Sequence, residues 1–212
     1  NNTHNIADRI IDIVNIDRED QKNLEIDHLD LRHWQDGEAN HMLYDWEKIA
    51  GRHAVFFLSA CDAEDESQLQ HFICALKYQY GAKSVTVVMP FMIYRRQDRV
   101  EDRKINRNLN FLRFLKGAGA DKIVLCDIHS AQTLKNAKYV GLEAFNVDPT
   151  SAYKKALADI MERARKDSER VYAYSPDLGS VGRTVTLARE LEIPVILNLK
   201  SRDTAGQNHI VE

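Results

Sequence analysis

The amino-acid sequence predicts an α/β fold of parallel sheets flanked by helices. Short apolar runs rich in Val and Ile recur along the chain, and segments with apolar residues at helical spacing lie between them. Two of those helical segments end on a Gly, the residue that most easily leaves a helix. Strands that read as continuous apolar runs suit a parallel sheet covered by helices on both faces.

The elements follow in order. IADRIIDIVN (residues 6–15) has the spacing of an amphipathic helix, and LEIDHLDL (24–31) alternates like a half-buried strand. HAVFFLSA (53–60) reads as a strand, and ESQLQHFICALKYQYG (66–81) as a helix closed by Gly81. The strand SVTVVMP (84–90) runs into IYRRQDRVEDRK (93–104), a loop crowded with both signs of charge. INRNLNFLRFLKGAG (105–119) is a second Gly-ended helix, and KIVLCDI (122–128) a further strand. Asp148-Pro149 opens a long helix, and the strand VYAYSPD (171–177), a helix over Arg183–Glu192 and the strand PVILNLK (194–200) come after it. The chain is therefore divided into an α/β domain over 1–147 and a shorter, partial α/β domain over 148–212.

Composition bounds the function. A formal net charge of -3 and a pI near 6.3 give no electrostatic footprint for nucleic acid or an anionic membrane, and no apolar run reaches the roughly 20 residues of a membrane span. The first residues, NNTHNIADRI, show no basic stretch followed by an apolar one. The three cysteines, Cys61, Cys74 and Cys126, have neither disulfide nor zinc spacing; they are expected as buried free thiols of a reduced, cytoplasmic protein. The chain lacks an initiator Met and stops within a strand-like HIVE, so a longer natural protein is expected.

In open α/β sheets ligands bind beyond the carboxyl ends of the strands. Polar clusters stand at such ends: Arg95, Arg96 and Arg99 after the strand ending at Met89; Asp127 and His129 after KIVLC; SPDLGSVGR after VYAY; KSRD after VILNL; and WQDGE after LEIDHLDL. Each has an ordinary explanation as well: solvated arginines, a satisfied histidine, turn and N-cap chemistry at Asp177 and Gly179, a core aromatic at Trp34. In combination they suit a Mg-nucleotide. Guanidinium forks pair phosphate oxygens, a His/Asp pair suits Mg²⁺ that keeps phosphate oxygens as its other ligands, and an aromatic beside acidic groups suits a purine. Neither GxxxxGK[ST] nor GxGxxG after a strand occurs, which excludes a P-loop kinase and argues against a dinucleotide dehydrogenase.

WQDGE, PFMIYRRQDR, GADKIVLCDIHSAQ, YSPDLGSVGR and KSR, in that order, resemble the ribose-phosphate diphosphokinases (phosphoribosyl-pyrophosphate synthases). The resemblance implies two phosphoribosyltransferase-like (type I) units, the second incomplete here. It implies transfer of the β,γ-diphosphoryl group of ATP to the C1 hydroxyl of ribose 5-phosphate, with Mg²⁺, in a homo-oligomer built as a dimer or hexamer. Carried over by position, Asp36, Gly37 and Glu38 are the adenine-recognition segment, often lent to a neighbouring subunit, and Trp34 is the aromatic that stacks on adenine. Arg96 and Gln97, with Asp98 beside them, hold ATP. His129 is metal-linked, and Asp177 serves metal and ribose. Lys200 and Arg202 are the basic pair of a mobile loop that closes over the reacting phosphates.

Departures from the family's pattern accompany the match. DRKINRN stands where an Arg-x-Pro segment is usual, Lys-Ser-Arg replaces Lys-Arg-Arg, and Ser180 replaces a second Gly. The ribose 5-phosphate loop, two acids on a strand followed by D-T-G-G-T, has its only lookalike in DTAG at Asp203 to Gly206; that segment is read as the mobile loop's own, with the true loop beyond Glu212, so a chain ending there is expected to bind nucleotide and fail at catalysis. The alternative function is a non-catalytic regulatory or structural homologue that binds nucleotide and assembles with the active enzyme.

Overall fold

The structure, a computed structural model, describes residues 29–100, 102–198, 200–202 and 208–210. They fall into two compact units, one ending at Val147 and the other beginning at Asp148. The expected helix over 6–15 and the first part of the strand at 24–31 lie outside the described residues.

The first unit opens with an antiparallel hairpin, β1 (Leu29–His33) and β2 (Ala39–Leu43), in which Leu29 pairs Leu43 and His33 pairs Ala39. A 3₁₀ turn at Trp46–Lys48 leads into a four-stranded parallel sheet: β3 (His53–Phe57), β4 (Ser84–Met89), β5 (Lys122–Cys126) and β6 (Glu143–Val147), in that spatial order. The connecting helices are α1 (Ala63–Cys74), α2 (Arg107–Ala118) and α3 (Gln132–Tyr139).

Parallel strands that follow one another in space as in sequence place all three helices on one face when each crossover takes the usual right hand. The side chains agree. Val85, Val87 and Met89 point into a core with Leu69, Ile73, Phe111, Leu115, Ile123 and Leu125, all buried. On the opposite face the neighbours in register, Phe57, Val88, Val124 and Phe145, are only partly buried, and Phe145 is 47% exposed. Among the described residues, then, the helices lie on one face of this sheet, and the helix expected over 6–15 lies outside them.

Local chemistry fixes the helix ends. Asp62 caps α1, its carboxylate accepting from the N–H of Glu64 and Asp65, so the helix begins before the expected Glu66. Its last turn widens into a π segment, Ala75–Gln79. Asn106 caps α2 through the Leu109 N–H, and Gly119 ends it in the left-handed region at φ +108°.

Leu69, Phe72 and Ile73 form the buried stripe of α1, continued by Leu76 of the π segment, and Cys74 falls off that stripe. This corrects the expected thiol burial: all three cysteines are free, but Cys61 and Cys74 are exposed and Cys126 is half-buried.

The second unit holds α4 (Thr150–Lys166), β7 (Ala173–Ser175), α5 (Val181–Leu191) and β8 (Val195–Leu197), with β7 and β8 parallel. A short antiparallel pair, β9 (Lys200–Arg202) and β10 (Asn208–Ile210), follows.

Candidate functional site

β4 ends at Met89, and the chain after it turns through Phe91 to Gln97 around an open cavity of ≈ 310 Å³. Arg95, Arg96 and Gln97 line it, and so does Cys61 from beyond β3. Arg95 lays its guanidinium 4.7 Å above the Phe91 ring, a cation–π contact that holds one cation against the wall. Arg96 is exposed.

Tyr94 anchors the turn in the left-handed region, at φ +61°. Its hydroxyl donates to Glu66 Oε2 at 2.8 Å and accepts from Arg107 at 3.0 Å, while the Arg107 guanidinium also sits 4.1 Å from the ring centre. Burial first, then the hydrogen bond and charge of Glu66, push the phenol above its ordinary value, so it stays protonated as the donor. Asp127, at the end of β5, is a second non-glycine residue in that region, at φ +47°. Such backbone is costly and persists where its surroundings over-determine it, often at functional sites.

Asp98 is buried beneath the turn, its carboxylate accepting from the Ser130 hydroxyl at 2.5 Å. Ser130 follows His129, which is exposed, so the loop after β5 is tied directly to the turn after β4. Two of the sequence-predicted clusters, the Arg96–Gln97 pair and the His129 loop, are thus brought together. Asp98 serves them from inside the protein, with its carboxylate turned away from solvent.

Trp34, Asp36, Gly37 and Glu38 follow a strand, as expected, and form the tip of the β1–β2 hairpin. The tip closes on itself: Trp34 N–H donates to the Glu38 carbonyl at 2.7 Å, and Glu38 N–H to the Asp36 carboxylate at 3.1 Å. Gly37 supplies the positive φ of +90° that the turn requires, and Trp34 is 59% exposed. An exposed ring on a closed turn is available to a ligand.

In the second unit, Asp177 stands before α5, and its Oδ1 accepts from the Ser180 N–H at 2.9 Å, in a loop where the Ser175 and Ser180 hydroxyls meet at 2.7 Å. Lys200 and Arg202 lie on β9 in register with Ile210 and Asn208. The DTAG segment is outside the described residues. Among the described residues no cluster of three or more His, Cys, Asp or Glu is arranged to hold a metal ion.

Cys61, Phe91 and Ser130 are the site residues that sequence reasoning missed. Ser130 had a signal, its place next to His129. Cys61 had none, since only the fold brings it to the cavity.

The family model of the N-terminal domain of ribose phosphate pyrophosphokinase matches residues 1–119, more than half of the chain. The chain belongs to the ribose-phosphate pyrophosphokinase family. It is 31% identical over 172 residues to the ribose-phosphate pyrophosphokinase of Mycoplasma genitalium, covering 80% of this chain and 49% of that protein. It is 30% identical over 183 residues to ribose-phosphate pyrophosphokinase 1 of Streptococcus agalactiae, with 84% and 53% covered. The chain thus spans about half the length of these relatives. The solved phosphoribosylpyrophosphate synthetase of Mycobacterium smegmatis superposes with a TM-score of 0.73 over 98% of this chain and 63% of that one; at 24% identity this shows the shared fold.

Proposed function

We propose that this member of the ribose-phosphate pyrophosphokinase family acts in the Mg-dependent transfer of the diphosphoryl group of ATP to the C1 hydroxyl of ribose 5-phosphate. The observation that carries the reading is the paired placement of Arg95, Arg96 and Gln97 in one cavity, with the His129 loop bonded to the same turn through Asp98.

In the reaction the C1 oxygen attacks the β-phosphorus of ATP, the bond from that phosphorus to the α,β-bridging oxygen breaks, and AMP leaves with that oxygen. The hydroxyl proton passes to solvent, and phosphoribosyl diphosphate forms. Positioning and charge neutralisation carry most of the catalysis in such a transfer. Mg²⁺ enters with ATP as part of the substrate and supplies charge neutralisation at the phosphate oxygens. Arg96 and Gln97 hold the nucleotide's phosphates, and Arg95, fixed on Phe91, adds a cation that needs no reorganisation. The exposed Trp34 gives adenine a stacking face, with Asp36 and Glu38 as acceptors for its amino group. His129 and Asp177 serve the metal and Asp177 the ribose, while Lys200 and Arg202 close over the phosphates and exclude water. The protein works in the cytoplasm as a homo-oligomer in which the hairpin tip completes a neighbour's site.

AMP release tests the assignment of Lys200. Lys200→Ala is expected to lower turnover by a large factor while ATP affinity changes little. A large loss of ATP binding would contradict a role confined to the reacting phosphates.

A further inference from the structure

A buried polar network holds the Arg96–Gln97 turn from beneath. Asn136 of α3 donates from Nδ2 to the Asp98 carbonyl at 2.9 Å and to Asn108 Oδ1 at 2.9 Å, and its Oδ1 accepts from Gln132 Nε2 at 3.0 Å. Asn108, in the first turn of α2, returns to the turn through its backbone N–H, 3.1 Å from the Gln97 carbonyl, and its Nδ2 reaches Thr133 Oγ1 at 3.4 Å. The Asp98 carboxylate completes the circuit at Ser130. Asn108 and Thr133 are fully buried, and Asp98 and Asn136 nearly so.

Two consecutive peptide carbonyls, those of Gln97 and Asp98, are therefore anchored on two different helices. Both N–H groups of the Asn136 amide are used, so there is no spare capacity for an alternative arrangement. Apolar side chains could fill the same space without the demand for partners. What a fully satisfied buried network adds is a single, rigid geometry.

We infer that Asn136, acting with Asn108, is a positioning residue that fixes the Gln97–Asp98 backbone against the Ser130 loop, so that Arg96, Gln97 and His129 meet one ligand at a set spacing. The inference rests on the nucleotide reading above. Small displacements of such groups are enough to lose binding and rate.

The test compares Asn136→Leu with the unmodified chain by amide hydrogen exchange and by MgATP titration. Ser130→Ala, a smaller change to the same network, stands in should Asn136→Leu fail to fold. Expected is a protection loss of tenfold or more confined to Gln97, Asn108 and the loop at 129–132, with β4 amides unchanged, and MgATP affinity lower by tenfold or more for Asn136→Leu. A parallel loss of protection across β4 and β5 would make Asn136 a general stability residue and overturn the inference. So would a locally loosened turn with unchanged MgATP affinity. Absence of MgATP binding by the unmodified chain would sink the nucleotide reading instead, and the exchange result would still decide whether the pin exists.

Discussion

Guanidinium groups decide what the cavity after β4 can hold. Arg95 is committed to Phe91, whereas Arg96 is exposed at the cavity's edge. A charge-assisted bidentate pair with phosphate contributes about 1.5–3 kcal/mol, so Arg96→Ala is expected to weaken MgATP binding about tenfold or more in calorimetric titration. Arg96→Lys keeps the charge, loses the fork and should fall between.

A second prediction concerns His41 on β2, whose ring stacks on Phe72 at 5.0 Å and whose Nε2 is buried without a hydrogen-bond partner among the described residues. Burial holds its imidazole below the ordinary 6.5, His33 and His71 add to the effect, and Glu64 opposes it. The unfolded chain then takes up a proton near 6.5 that the folded protein refuses. Stability should fall as pH drops below that value and level off under the folded pKa. His41→Phe should flatten that part of the curve in thermal melts at pH 7.5 and below. An unchanged slope would remove His41 as its source.

Elements whose pattern is pure were legible in the sequence. β3, β4 and β5 read as strands because they are apolar runs bounded by loops, and α2 read as a helix because Phe111, Leu112 and Leu115 recur at helical spacing before a Gly. α3 was not legible, because its buried stripe is Thr133, Asn136 and Ala137, two of them polar. β6 is an edge strand with the polar run EAFNV, and β2 alternates around two polar residues, so neither announces itself. The hairpin that carries Trp34 was missed for the same reason, although the residues at its tip were singled out. The Asp98 network was invisible for a different reason: its members come from three segments that only the fold brings together.

The end of α2 makes a prediction at this scale. A Cβ at Gly119 would meet Lys77 Cγ at 2.7 Å and Cβ at 2.8 Å, in backbone with φ +108°. Gly119→Ala is therefore expected to cost more than about 1 kcal/mol in denaturant unfolding. A neutral result would show that the helix end relaxes freely.

For the molecule as a whole, charge placement matters more than charge total. A net charge of -3 says nothing of phosphate, yet the fold gathers cationic side chains at the carboxyl end of β4 and ties them to the His129 loop. The chain belongs to the ribose-phosphate pyrophosphokinase family and spans about half of its matched relatives.

The most direct measurement is a ³¹P NMR time course of the natural full-length protein with MgATP and ribose 5-phosphate. The account predicts that AMP and a C1-diphosphoryl sugar appear together, at a rate proportional to protein concentration. ATP that binds but remains intact would contradict the transferase account and leave a nucleotide-binding, non-catalytic homologue in its place.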